Sequence, residues 1–215
     1  DAVDREYGSE EDLLEFLAAA KRRGIRVVMD LVVNHCSREH PWFRQASEST
    51  DSPFHDWFLW RKDDPGWTQP WSSAGTWHRS PDVGLYYYGL FWAGMPDLNY
   101  ENPVVFNRML EEMLFLANQG VEILRLDAVA FVWKRLGTSC QNLPEAHTII
   151  QAFNALVHIA APAMVFKSEA IVHPDEVRKY IGEDECQLSY NPQLMALLWN
   201  SVATTKVHIL KHGLQ

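Results

Sequence analysis

A chain of 215 residues with 47% hydrophobic side chains can bury one substantial core, yet it is shorter than the roughly 250 residues of a complete (β/α)8 barrel. Its net charge of −9 excludes the clustered Lys and Arg that phosphate recognition needs, so no nucleic-acid partner is expected. No apolar run reaches the roughly 18 residues that span a bilayer, so no membrane partner is expected either, and the three cysteines lack metal-site spacing.

The chain starts at Asp1 and ends at Leu214-Gln215 without a leader-like run, and it reads as an internal fragment whose compartment stays open. Leu13, Leu14, Phe16, Leu17 and Ala20 fall at helical spacing between Glu10 and Arg23, with Gly24 as the stop. Ile25 to Val33 then reads as a valine-rich strand covered on both faces. Pro103 to Asn118 is expected to be helical with Val104, Met109, Met113, Leu114 and Leu116 inward, followed by a strand from Val121 to Leu126. Pro144 to Ala160 and Ala163 to Phe166 repeat that pair. A short helix from Pro174 to Ile181, a strand from Cys186 to Tyr190 and a helix from Pro192 to Ala203 complete the chain. Such alternation implies a parallel sheet with right-handed crossovers. No glycine-rich phosphate loop follows any strand, which favours a barrel over a dinucleotide-binding sheet.

Cys36 to Met95 breaks the alternation. It shows no clear helical period and holds seven of the nine tryptophans (Trp42, Trp57, Trp60, Trp67, Trp71, Trp77 and Trp92). A connection this long is usually functional or a small subdomain. Most of its rings are expected to fill a local core, with one or two reaching a sugar.

Three strands deliver polar residues at their C-terminal ends: Asp30 to His35, Arg125 to Asp127, and Lys167 to Glu169. A βα barrel builds its active site on that face. Neighbouring strands lie about 4.8 Å apart, close to the 5 to 5.5 Å separating the nucleophile and the acid/base of a retaining glycosidase. Asp127 and Glu169 therefore suit those two roles. Arg125 faces the same side as Asp127 by the period-two rule and can reach it with a charge-assisted hydrogen bond. Glu169, set among Val165, Phe166 and Ala170, is expected to have a raised pKa from its apolar surroundings, provided that the Lys167 amine stays away.

These motifs resemble the α-amylase superfamily, glycoside hydrolase family 13. Asp30 to His35 is similar to its first motif, Arg125 to Asp127 to its second, Glu169 to its third, and Met95-Pro96-Asp97-Leu98-Asn99 to the short motif that closes its inserted domain B. The resemblance implies an α/β fold, a partial (β/α)8 TIM barrel whose first and last strands lie outside this chain. Residues 1–35 and 96–215 would be barrel and 36–95 domain B. It implies Asp127 as nucleophile, Glu169 as acid/base, and Arg125, His35, Asp30, Ile171 and His173 as substrate-binding residues, with no cofactor. The third carboxylate of the family lies outside these residues. Ala130 and Phe131 stand where calcium-dependent members carry Lys-His, which argues against a calcium site of that type.

From Arg125 to Gln187 the text is similar to the amylosucrase branch, notably Gly137-Thr138-Ser139-Cys140 and Asp184-Glu185-Cys186-Gln187. That branch implies glucosyl transfer from sucrose to an α-glucan. The stretch from Gly75 to Pro96 is closer to hydrolytic α-glucosidases and α-amylases, so hydrolysis stays open, as does a non-catalytic relative of the family. The 215-residue piece alone is expected to be inactive, because an open half-barrel exposes strand edges.

Overall fold

A computed structural model describes residues 3–214. Helix starts are written locally. Pro stands at the first turn of α2 (Pro41–Glu48), α3 (Pro103–Asn118), α4 (Pro144–Ala160), α5 (Pro174–Val177) and α6 (Pro192–Thr204), where its missing N–H costs nothing. The first helix, α1 (Glu10–Arg22), opens on a Ser9/Asp12 capping box and is followed by Gly24 at φ +69°. A short α7 (His208–Gly213) follows α6.

Four parallel strands, β1 (Val28–Val32), β5 (Ile123–Asp127), β6 (Val165–Ser168) and β7 (Leu188–Ser189), form one sheet in that order. With helices in the crossovers, this is a partial (β/α)8 barrel. Residues alternate along the strands instead of being apolar on both faces. Leu124, Leu126 and Phe166 are buried, whereas Asp30, Arg125 and Lys167 share one register row on the opposite face. That face is polar because this charged row stands on it. On β1, an edge strand among the described residues, Val28 and Val32 remain exposed.

Several expectations need correction. In α1 the buried stripe is Leu17 and Ala20 with Leu13 packed beside them, and Leu14 and Phe16 are exposed because they turn away from that i, i+4, i+7 line. Val104 is exposed at the open first turn of α3. The helix expected over Pro174 to Ile181 tightens to a 3-10 turn at Arg178–Tyr180, and the following strand keeps only Leu188–Ser189.

Residues between β1 and α3 form a second small sheet, ordered β2 (Trp60–Arg61), β4 (Tyr86–Tyr88) and β3 (Trp77–Arg79), antiparallel throughout. It also contains α2, whose amphipathic run was masked by aromatic and polar neighbours. Its core is aromatic: Phe43 packs on Phe58 and Tyr87 with ring centroids 4.9 and 4.7 Å away.

A buried ion pair joins this insert to the barrel. Lys134, after β5, lies 3.0 Å from Asp97, and both are almost wholly buried. The ammonium also donates to Asn34 Oδ1 at 2.7 Å and to the Leu98 carbonyl at 3.2 Å. Asp97 accepts from Asn34 Nδ2 at 2.9 Å and from the Leu90 N–H at 3.0 Å. Burial pushes the Lys134 pKa down, against the pull of Asp97. Removing one partner leaves a bare buried charge. In the full-length protein Lys134→Met is expected to lower unfolding stability by about 3–5 kcal/mol, with part regained when Asp97→Asn is added, as a denaturant-melt double-mutant cycle would show.

Candidate active site

The site is assembled around Arg125, in the middle of β5. Its guanidinium Nη1 donates to Asp30 Oδ1 at 2.5 Å and Asp127 Oδ1 at 3.0 Å, and Nη2 lies 2.6 Å from Glu169 Oε1. Its Nε donates to the Tyr190 hydroxyl at 3.1 Å. One planar fork thus holds side chains from the row or the C-terminal end of every strand of the sheet. Burial disfavours the charge of Arg125, but its hydrogen bonds to Asp30 and Tyr190 and the charge of Glu169 outweigh that and raise its pKa.

Asp127 ends β5, and Glu169 follows β6 directly. Their carboxyls are close enough to hydrogen-bond, and Glu169 is pushed up to about 7. The largest cause is the hydrogen bond with Asp127, followed by burial and by the Asp127 charge, whereas Arg125 and the Ala128 N–H pull it down. The expectation of an apolar cause is corrected here: surroundings contribute second, and Arg125 does reach Glu169. Lys167 stays out of the pair, its ammonium 3.8 Å from the centre of the Tyr190 ring. Ala128 adopts left-handed φ (+53°), unusual for a residue with a Cβ, and its N–H serves Glu169.

His35 is held from behind. Lys134 can only donate, so the Asn34 atom facing it is the oxygen, and the Asn34 amide nitrogen is left to serve Asp97 at 2.9 Å and His35 Nδ1 at 3.2 Å. With Nδ1 accepting, the imidazole proton sits on Nε2, 4.0 Å from Asp127 Oδ2. Burial lowers the His35 pKa, although Asp97 and Asp127 resist this. His35 is therefore a neutral donor facing the carboxylates.

Beside His35 stands an aromatic wall. Phe91 lies 5.2 Å from the imidazole and 5.7 Å from both Phe131 and Trp71, and Trp71 is 52% exposed. The structure thus brings together Asp30, His35, Arg125, Asp127 and Glu169. Ile171 is exposed above β6, and His173 caps α5 by accepting from the Asp175 N–H, away from the cluster. Sequence reasoning missed Tyr190 and Lys134. Tyr190 obeys the rule that exposed the others, a polar residue just past a parallel strand, but two-residue β7 hides it.

The family model described as alpha-amylase catalytic domain matches residues 1–213. The chain belongs to the α-amylase family. It is 33% identical to the trehalose synthase/amylase TreS of Mycobacterium tuberculosis over 207 residues, covering 92% of this chain and 34% of that protein. It is 34% identical to the oligo-1,6-glucosidase of Heyndrickxia coagulans over 208 residues, covering 87% of this chain and 37% of that enzyme. Among solved structures it resembles the trehalulose synthase MutB, with a TM-score of 0.82 and 27% identity over 90% of this chain and 38% of that one. The chain spans about a third of the length of the relatives it matches.

Tyr190→Phe keeps the ring under Lys167 and deletes only the acceptor for Arg125. In the full-length protein kcat is expected to fall about tenfold with KM little changed, the pattern of a loosened positioning group and not of lost substrate contact, read by steady-state kinetics.

Proposed function

We propose that the full-length protein is a retaining enzyme acting on α-glucosides, with Asp127 as nucleophile and Glu169 as acid/base. The observation that carries this reading is the placement of two carboxyls at adjacent strand ends on one guanidinium, Asp127 at 3.0 Å and Glu169 at 2.6 Å from Arg125, with the Glu169 pKa pushed up to about 7. Retaining chemistry needs two such groups close together, one to attack and one to donate. Asp127 Oδ forms a bond to the anomeric carbon while the glycosidic C–O bond breaks and Glu169 gives its proton to the leaving oxygen. Glu169, now ionised, takes the proton of an incoming hydroxyl, whose oxygen displaces Asp127. Arg125 orients both carboxyls, and the Nε2–H of His35 serves a hydroxyl of the bound sugar. Trp71, Phe91 and Phe131 offer flat faces to its C–H surface.

For donor and acceptor, the run from Asp127 to Gln187 supports glucosyl transfer from sucrose onto an α-glucan, as in the amylosucrase branch. A second reading, with water as acceptor, is supported by the similarity to an oligo-1,6-glucosidase and by the insert text from Gly75 to Pro96. The division of the chain into barrel segments 1–35 and 96–215 around a domain B at 36–95 belongs to the same proposal, with the insert as a wall of the cleft. So does inactivity of the 215-residue piece alone.

Incubating the full-length protein separately with sucrose, trehalose and maltoheptaose separates these readings. Fructose from sucrose that disappears in Asp127→Asn is the expected result. Glucose from maltoheptaose alone would assign hydrolysis, and no sugar release from any donor would refute catalysis. Because Glu169 must be protonated to donate, kcat/KM is expected to hold below about pH 7 and to fall about tenfold per unit above it. That limb is expected to vanish with 4-nitrophenyl α-glucoside, whose leaving group needs no proton, and its persistence there would assign it to another group.

A further inference from the structure

The Tyr190 hydroxyl braces the Arg125 guanidinium, yet Tyr190 stands just past the shortest strand of the parallel sheet. Both residues of β7 pair with β6, and β7 is an edge among the described residues. Two ladder residues are a weak support for a side chain that must hold one position. The placement of Tyr190 therefore depends on what holds the segment before β7.

That segment is fastened by side chains. Glu185 is 5% exposed, and its carboxylate accepts from His147 Nδ1 at 3.0 Å and from Gln151 Nε2 at 3.1 Å. Its carbonyl accepts from Asn154 Nδ2 at 2.5 Å. His147, Gln151 and Asn154 all belong to α4, and their i, i+4, i+7 spacing puts them on one face of that helix. Two residues further on, Gln187 Oε1 accepts the Phe166 N–H of β6 at 2.8 Å, so a side chain stands in for a backbone strand partner. The His147 ring also stacks on Tyr180, with centroids 4.4 Å apart, and the Tyr180 carbonyl accepts the Cys186 N–H at 3.3 Å. A buried carboxylate costs stability unless donors surround it, and apolar packing would hold a turn as firmly. What a satisfied polar network adds is a single geometry. Here three donors from one helix fix residue 185, and β7 begins three residues later.

We propose that His147 and Glu185 are positioning residues for the reaction: by clamping the turn before β7 to α4 they set where Tyr190 stands, and so how the Arg125 guanidinium lies between Asp127 and Glu169. The proposal rests on the reading of Asp127 and Glu169 as the reacting carboxyls. Among the described residues neither His147 nor Glu185 bonds to a member of that cluster, so both act through Tyr190.

The test places His147→Leu, His147→Asn and Tyr190→Phe in the full-length protein, assayed well below each melting midpoint on whichever of sucrose, trehalose and maltoheptaose it cleaves. Asn carries its amide nitrogen where the imidazole has Nδ1, so it keeps the donor to Glu185. His147→Leu is expected to lower kcat about five- to tenfold with KM little changed, and His147→Asn to restore most of that loss. Combined with Tyr190→Phe, His147→Leu should lose no more than the worse single variant, because both remove the same support. The nitrogen resonance of the Arg125 Nε–H, assigned by its displacement in Tyr190→Phe, should also shift in His147→Leu without any substrate. If His147→Leu does not fold, Glu185→Asp, which keeps the charge and shortens its reach, takes its place in the same cycle. Losses that multiply in the double variant, or a variant that only melts earlier with kcat and the Arg125 resonance intact, would overturn the proposal and leave the catalytic reading standing. A displaced resonance in a protein whose parent form releases no sugar would refute the catalytic reading and uphold the placement of Arg125 by His147.

Discussion

The guanidinium of Arg125 is the contact on which the site depends. It is the central member of a row in which Asp30, Arg125 and Lys167 stand in register across three strands, and it reaches Tyr190 beyond the fourth. Three carboxylates converge on that one cation, at 2.5 Å for Asp30, 3.0 Å for Asp127 and 2.6 Å for Glu169. Among them Glu169 is pushed up to about 7, by its hydrogen bond to Asp127 first and by burial second, against the pull of Arg125. The contact that fastens the strands together thus also sets the two carboxyls against each other, and the raised pKa of Glu169 comes from Asp127 and burial working against the pull of Arg125.

A second cation does the corresponding work at the junction of barrel and insert. Lys134 has no freedom in its role: it can only donate, and every acceptor around it is fixed. By turning the Asn34 oxygen toward itself it turns the amide nitrogen toward His35, and so sets which imidazole nitrogen keeps its proton. The tautomer of His35 is thus set from behind, by a lysine that does not face the carboxyl pair. The positive charge at this junction is the Lys134 ammonium, 3.0 Å from Asp97.

How much could be read from the sequence follows from the distance over which each feature is decided. Proline and Asx starts of helices are decided within four residues, and Pro103–Asn118 and Pro144–Ala160 were placed to the residue. The strand-end rule is equally local, and it pointed to Asp30, Arg125, Asp127 and Glu169, which the fold brings into one cluster. The features that were missed are decided across the chain. Arg125 and Tyr190 are 65 positions apart, and Asn34 and Lys134 are 100 apart. Nothing near Lys134 in the sequence marks it as buried, because a lysine in a loop is ordinarily exposed. The exposure of Leu14 and Phe16 was missed for the opposite reason: helical spacing admits more than one stripe, and only the neighbouring elements choose between them.

The relatives sharpen what the fold does and does not decide. A trehalose synthase/amylase and an oligo-1,6-glucosidase are nearly equally similar to this chain, at 33% and 34% identity, although their names describe different outcomes. An arrangement compatible with both cannot be what separates them. The sheet contributes the carboxyl pair, its guanidinium and the oriented imidazole, which under the proposed mechanism would act at the anomeric carbon whichever hydroxyl arrives next. What arrives is decided by the volume and dryness around the second face of the sugar. In this chain the rings beside His35 are Phe91, Phe131 and the half-exposed Trp71, two of them supplied by the insert and none by a strand of the parallel sheet. A change of acceptor then requires new loops around an unaltered sheet, which is how one barrel hosts several reactions.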